Sequence, residues 1–171
     1  MQRKIKPIRL LLMDVDGVLT AGGIIYSANG DELKSFNIQD GMGVTLMRMA
    51  GLKTGIITGR RSPMVERRAR ELKMDLLDMG HFDKLPRYYA LRDQLGLRDE
   101  EIAYIGDDVQ DLCILKRVGF SVAPANARPQ VKERVDYVTE ARGGEGAVRE
   151  TVDLILYHQG RWEELIRKLE Q

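Results

Sequence analysis

The chain has 171 residues, with 27 Lys and Arg against 26 Asp and Glu, so it is nearly neutral although 31% of it is charged. That length suits one domain spanning 1–171 and is short for two, and the charge balance lacks the basic excess of a nucleic-acid binder. A single cysteine, Cys113, excludes an intrachain disulfide, and the apolar run at 8–13 is too short for a signal sequence or a membrane span, so a cytoplasmic protein is expected.

In chain order, IRLLLM (8–13) is a continuous apolar run of strand length, as expected for a strand covered on both faces of a parallel sheet. It ends on Asp14 and Asp16, with Gly17 allowing a sharp turn. Residues 22–36 hold two β-like runs around Ser27-Ala28-Asn29-Gly30, a hairpin signal. A helical pattern at 41–51 stops at Gly51, and KTGIIT (53–58) is the second buried strand. SPMVERRARELKM (62–74) predicts a helix with Ser62 as N-cap and Pro63 in the first position, and 84–97 predicts another ending near Gly96. EIAYIG (101–106) is the third buried strand. Runs at 119–125 and 135–140 are weaker strands, and the tail reads as helices at 147–160 and 161–171. Strands alternating with helices predict an α/β fold, a doubly wound parallel sheet with helices on both faces. The hairpin would stand over the C-terminal edge of the sheet, where open α/β folds bind ligands.

Two acidic motifs carry the chemistry. Asp14 and Asp16 follow one buried strand; GDDVQD places Asp107, Asp108 and Asp111 after another. Any one of them alone would serve as a helix cap. If the two strands are neighbours, all five converge, and like charges about 4 Å apart repel by roughly 4 kcal/mol at an effective dielectric near 20. Such a group needs a cation or raised pKa values, and oxygen ligands without His or Cys in the motifs favour Mg²⁺ over zinc. The loop is no EF-hand, since its glycine is fourth rather than sixth. Thr58, ending the second strand, suits a phosphate oxygen, and Lys84, opening a helix, suits either a phosphoryl group or the carboxylates.

DVDGVLT, a strand-end Thr, a Lys and GDDVQD, in that order, resemble the motif set of the haloacid-dehalogenase-like (HAD) phosphatases over nearly the whole chain. The resemblance implies an HAD-like fold with Asp14 as the nucleophile that becomes an aspartyl-phosphate, and Asp16 as acid and then base. It further implies Mg²⁺ held by Asp14, the Asp16 main-chain carbonyl and Asp107, with Asp108 or Asp111 helping through water. Thr58 and Lys84 would stabilise the transferring phosphoryl group. With only the hairpin at 22–36 to spare, the resemblance implies an enzyme of the capless type.

FNIQDGMG, IITGRRS, RAREL and GGEGAVRE, added to these, resemble the 3-deoxy-D-manno-octulosonate 8-phosphate (Kdo 8-phosphate) phosphatases, a tetrameric family of lipopolysaccharide synthesis, from about Ile8 to Leu156. That implies a sugar-acid phosphate as substrate, bound by Asp16, Lys84 and the stretch Asn37, Ile38, Gln39, Asp40 and Gly41. Arg60 and Arg68 would reach the carboxylate end from a neighbouring subunit. The hairpin, with Ile24, Ile25 and Phe36, would meet other copies in a homotetramer. The glycines at 143, 144 and 146 are expected to let the tail fold over an adjacent site. Rival readings are a nonulosonate (sialic-acid-type) 9-phosphate phosphatase, a phosphatase domain of the kind attached to acylneuraminate cytidylyltransferases, and a non-catalytic sugar-phosphate-binding subunit.

Overall fold

The computed structural model describes residues 1–170. Six strands form one parallel sheet: β1 (Leu10–Met13), β4 (Lys53–Thr58), β5 (Leu76–Met79), β6 (Ile102–Ile105), β7 (Phe120–Ala123) and β8 (Tyr137–Val138), in the order β5-β4-β1-β6-β7-β8. All neighbours run parallel, and β1 is in register with β4 on one side and β6 on the other. The chain winds outward from β1 in both directions, so a crevice opens where β1 ends. Every residue of β1 and β6 is buried. Leu11 and Met13 pack with helices α2 (Ile38–Met49), α3 (Pro63–Glu71), α7 (Ala147–His158) and α8 (Trp162–Leu169). Leu10 and Leu12 pack on the other face with α4 (Lys84–Gln94), α5 (Leu112–Leu115) and α6 (Pro129–Lys132). The continuous apolar runs follow from this: with helices on both faces, both sets of alternating side chains enter a core and apolar residues dominate.

Strand β5 escaped sequence reasoning, because LLDM is a short edge strand whose third residue is an aspartate. The first helical turns α1 (Gln2–Ile5), α5 and α6 escaped too, being four residues each. Helix α2 begins three residues before the expected 41, because Asn37 caps it, its side chain accepting from Gln39 N at 2.7 Å. Ser62 does occupy the N-cap of α3, but its hydroxyl makes no capping hydrogen bond. The expected terminal helix ends at Leu169, and position 171 lies outside the described residues. Residues 22–36 do form a hairpin, β2 (Ile25–Tyr26) against β3 (Glu32–Leu33), closed around Ser27–Gly30. The described residues contain no helix long and apolar enough to cross a membrane.

Candidate active site

Because β1 and β6 are adjacent, the loops after them meet, and Asp14, Asp107 and Asp111 bring carboxylate oxygens within 4.8 Å of one another. Lys84 lies between them. As the first residue of α4 it puts a cation where the helix dipole disfavours one, so carboxylates must hold it there. Its Nζ is 2.7 Å from Asp111 Oδ1 and 3.0 Å from Asp14 Oδ1, and the side chain is fully buried. Burial works against its charge, but Asp111 and Asp14 outweigh that and hold its pKa above the ordinary lysine value. Burial pushes Asp14 up to about 6, against the pull of Lys84. Burial, followed by repulsion from Asp14, Asp111 and Asp108, pushes Asp107 up to about 7.

These carboxylates differ in what they have left to offer. Asp111 accepts from Lys84 Nζ and Tyr104 Oη, both at 2.7 Å, through one oxygen, and from the amides of Asp107 and Asp108, at 3.1 and 3.2 Å, through the other. Four donors fill its lone-pair positions, so it frames the site while Asp14 and Asp107 keep oxygens to share. Asp107 Oδ1 is buried without any hydrogen-bond partner. An orphaned buried carboxylate oxygen beside a second carboxylate, both with raised pKa values, fits a divalent cation. Asp108 is exposed and caps its own turn through Val109 N.

Glycine geometry sets the loop after β1. Gly17 has φ +92°, and a Cβ there would lie 2.1 Å from Asp107 Oδ2, so only glycine lets that carboxylate in. Across from it, a Cβ on Gly143 would lie 1.7 Å from Gly17 O. Gly144 N donates to Val18 O at 2.8 Å, and Asn126 bridges Gly17 O and Gly143 N. The glycine-rich segment is therefore clamped onto the loop of its own chain. This corrects the expectation of flexible glycines: close backbone approach explains Gly143 and Gly144, a left-handed φ of +109° at the cap of α7 explains Gly146, and the chain beyond them is the packed helix α7.

Above this floor lies an open crevice of about 270 Å³, lined by Asp14, Asp16, Thr58, Gly59, Arg60, Phe82 and Gln110. Sequence reasoning missed Lys34. Its side chain is only 1% exposed, and Nζ lies 2.5 Å from Asp16 Oδ1 and 3.2 Å from Glu32 Oε1. Glu32 in turn accepts from Arg60 at 3.2 Å, so a chain of ion pairs ties the hairpin to Asp16 and to the loop after β4. A lysine in ELKSF carries no motif; only the fold shows which carboxylate it meets.

The other expected substrate contacts are divided. Arg60 lines this chain's own crevice. Ile38, 84% exposed, and Arg68 line a separate hollow of about 330 Å³ with Lys34, Phe36, Met64, Arg67 and Glu71. Asn37 caps α2 and donates to Gly144 O, and Gln39 is exposed. Asp40 and Gly41 are corrections to the expected contacts. Asp40 is 1% exposed and accepts from Arg149 N at 2.8 Å, facing the N-terminal turn of α7; Gly41 is buried behind Arg68. Phe36 likewise packs on the core while Ile24 and Ile25 remain half-exposed.

A model of the haloacid dehalogenase-like hydrolases matches residues 77–150. The chain is 44% identical over 161 residues to the 3-deoxy-D-manno-octulosonate 8-phosphate phosphatase KdsC of Escherichia coli, covering 94% of this chain and 86% of that protein. The 3-deoxy-D-manno-octulosonate 8-phosphate phosphatase of Moraxella catarrhalis, solved in complex with magnesium ion, phosphate ion and KDO, superposes with a TM-score of 0.95 at 42% identity, covering 98% of this chain and 97% of that one. The Yersinia pestis enzyme of the same name gives a TM-score of 0.93 at 43% identity, with 95% and 88% covered.

Proposed function

Since the chain belongs to the 3-deoxy-D-manno-octulosonate 8-phosphate phosphatase family of haloacid dehalogenase-like hydrolases, we propose that it hydrolyses Kdo 8-phosphate to Kdo and inorganic phosphate in lipopolysaccharide synthesis. The observation that carries phosphate-ester hydrolysis beyond family likeness is the carboxylate pair itself. Asp14 sits at the crevice floor against the buried Lys84, and Asp16 lines the crevice two residues on.

Asp14 attacks phosphorus through a carboxylate oxygen. The bond from phosphorus to the sugar oxygen breaks, and Asp16 gives that oxygen its proton, leaving an aspartyl-phosphate. Asp16, now ionised, takes a proton from water, whose oxygen attacks the same phosphorus; phosphate leaves and Asp14 is restored. Lys84 and the Thr58 hydroxyl stabilise the negative charge on the transferring group. Asp14, Asp107 and the Asp16 main-chain carbonyl would hold Mg²⁺, with Asp108 helping through water, and the ion would supply charge neutralisation at the phosphoryl oxygens. Asp111 keeps Lys84 and the Asp107 loop in place. Arg60 suits the substrate carboxylate, which its guanidinium can grip bidentately.

The whole chain acts as one domain in the cytoplasm, and we infer a homotetramer. Ile24, Ile25, Tyr26 and Leu33 of the hairpin are all more than half exposed beside an open crevice, an apolar strip that a second copy would cover. Light scattering at four times the chain mass is expected; a monomer would remove the neighbour's part in the site, including the role of Arg68. Phosphate release over a panel of sugar-acid phosphates tests the substrate. A faster 9-phosphate, or equal rates on all, rejects Kdo 8-phosphate, and no release from any with Mg²⁺ rejects catalysis.

A further inference from the structure

Phe82 has no part in the chemistry above, yet it is 82% exposed and lines the crevice with Asp14, Asp16 and Thr58. A lone exposed apolar side chain means little by itself. Here the loop that carries it is fixed on every side. Gly80, at φ +84°, donates to the Thr58 carbonyl at 3.0 Å. The buried Asp78, inside β5, accepts from His81 Nδ1 at 2.9 Å and, through its other oxygen, from Arg87 Nε at 2.7 Å. Asp83, immediately after the phenylalanine, caps α4, whose first residue is Lys84. Three neighbours on a four-residue loop are thus spent on anchoring, and the residue left projecting is aromatic.

We propose that Phe82 is a specificity residue, whose ring packs against the carbon chain of the sugar acid while Lys84, two residues on, holds the phosphoryl end. The rest of the crevice wall is charged or polar apart from the glycine. Phosphate and carboxylate recognition is therefore supplied, and an apolar face for the C–H bonds between them comes from Phe82 alone among the residues lining it. Binding sites commonly combine such an apolar wall with a few placed polar groups, and an anchored loop leaves little backbone freedom to lose on contact. The proposal rests on the phosphatase reading above.

The whole chain with Mg²⁺, as wild type, F82A and F82Y, is assayed on Kdo 8-phosphate and on acetyl phosphate, which lacks the sugar. Covering on the order of 50 Å² of ring corresponds to about a tenfold effect, so F82A is expected to raise KM for the sugar acid about tenfold with kcat nearly unchanged. Acetyl phosphate hydrolysis should stay at the wild-type rate, and F82Y, which keeps the ring, should keep the wild-type KM. A wild-type KM in F82A, or an equal loss on both substrates, overturns the assignment. So does a changed mass in light scattering, which would mean that the ring is covered by another copy. If instead the wild type shows no preference for the sugar acid, the Kdo 8-phosphate reading fails, and this inference with it. A preference undiminished in F82A overturns only the role of Phe82.

Discussion

At the residue scale, the site separates carboxylates by what surrounds them. Asp14→Asn removes the proposed nucleophile while keeping its shape, and should lower kcat by a factor on the order of 10⁶ with no acyl-phosphate trapped on rapid quenching. Gly17→Ala tests the close approach to Asp107. The added methyl would meet Asp107 Oδ2 at 2.1 Å, in a backbone conformation that alanine avoids. The expected result is about a 10- to 100-fold higher Mg²⁺ requirement, read from activity against metal concentration, with about 2 kcal/mol lost in urea unfolding. The paired aspartates, Thr58 and Lys84 were legible because their motifs combine residue type with position at a strand or helix end. Lys34 and Tyr104 were not: each acts through a contact made across the fold, 18 residues away in one case and 7 in the other, and nothing local distinguishes either from an ordinary lysine or a core tyrosine.

Elements explain why part of the expected substrate stretch turned inward. Helix α2 packs along α7, and Asp40 in its first turn accepts from the opening turn of α7. That makes one helix cap the other. Its pKa is raised because burial outweighs the stabilising amides of Arg149, Gly146 and Val148. Asp40→Ala should therefore cost about 1–2 kcal/mol in chemical denaturation, the usual price of a lost N-terminal cap. A fall in activity at unchanged stability would instead argue for a substrate contact. The sequence read the strands, the hairpin and the main helices because apolar runs and turn residues are local. It missed β5, an edge strand with Asp78 inside it, because that aspartate is satisfied by His81 and Arg87 after folding. It misjudged the glycines at 143 and 144 because composition cannot tell a hinge from a close contact.

For the molecule as a whole, the acidic cluster links metal, pH and stability. Asp14 and Asp107 hold protons more tightly in the folded chain, at about 6 and about 7 against an ordinary 3.8. In metal-free protein their contribution to stability is thus complete below pH 3.8 and is lost as pH rises through 6 and 7. A bound divalent cation favours the ionised forms, so the rise in Tm on adding Mg²⁺ should be larger at pH 8 than at pH 5. Thermal scans of metal-stripped protein measure it, and an equal rise at both would place the ion elsewhere. The clamp of Gly143 and Gly144 on Gly17 and Val18 reaches further, into the order of folding. Gly17 and Gly143 are more than a hundred positions apart, yet backbone contacts between these segments brace the loop beside Asp14. That loop is therefore fixed only once contacts distant in sequence have formed, among the slowest to close.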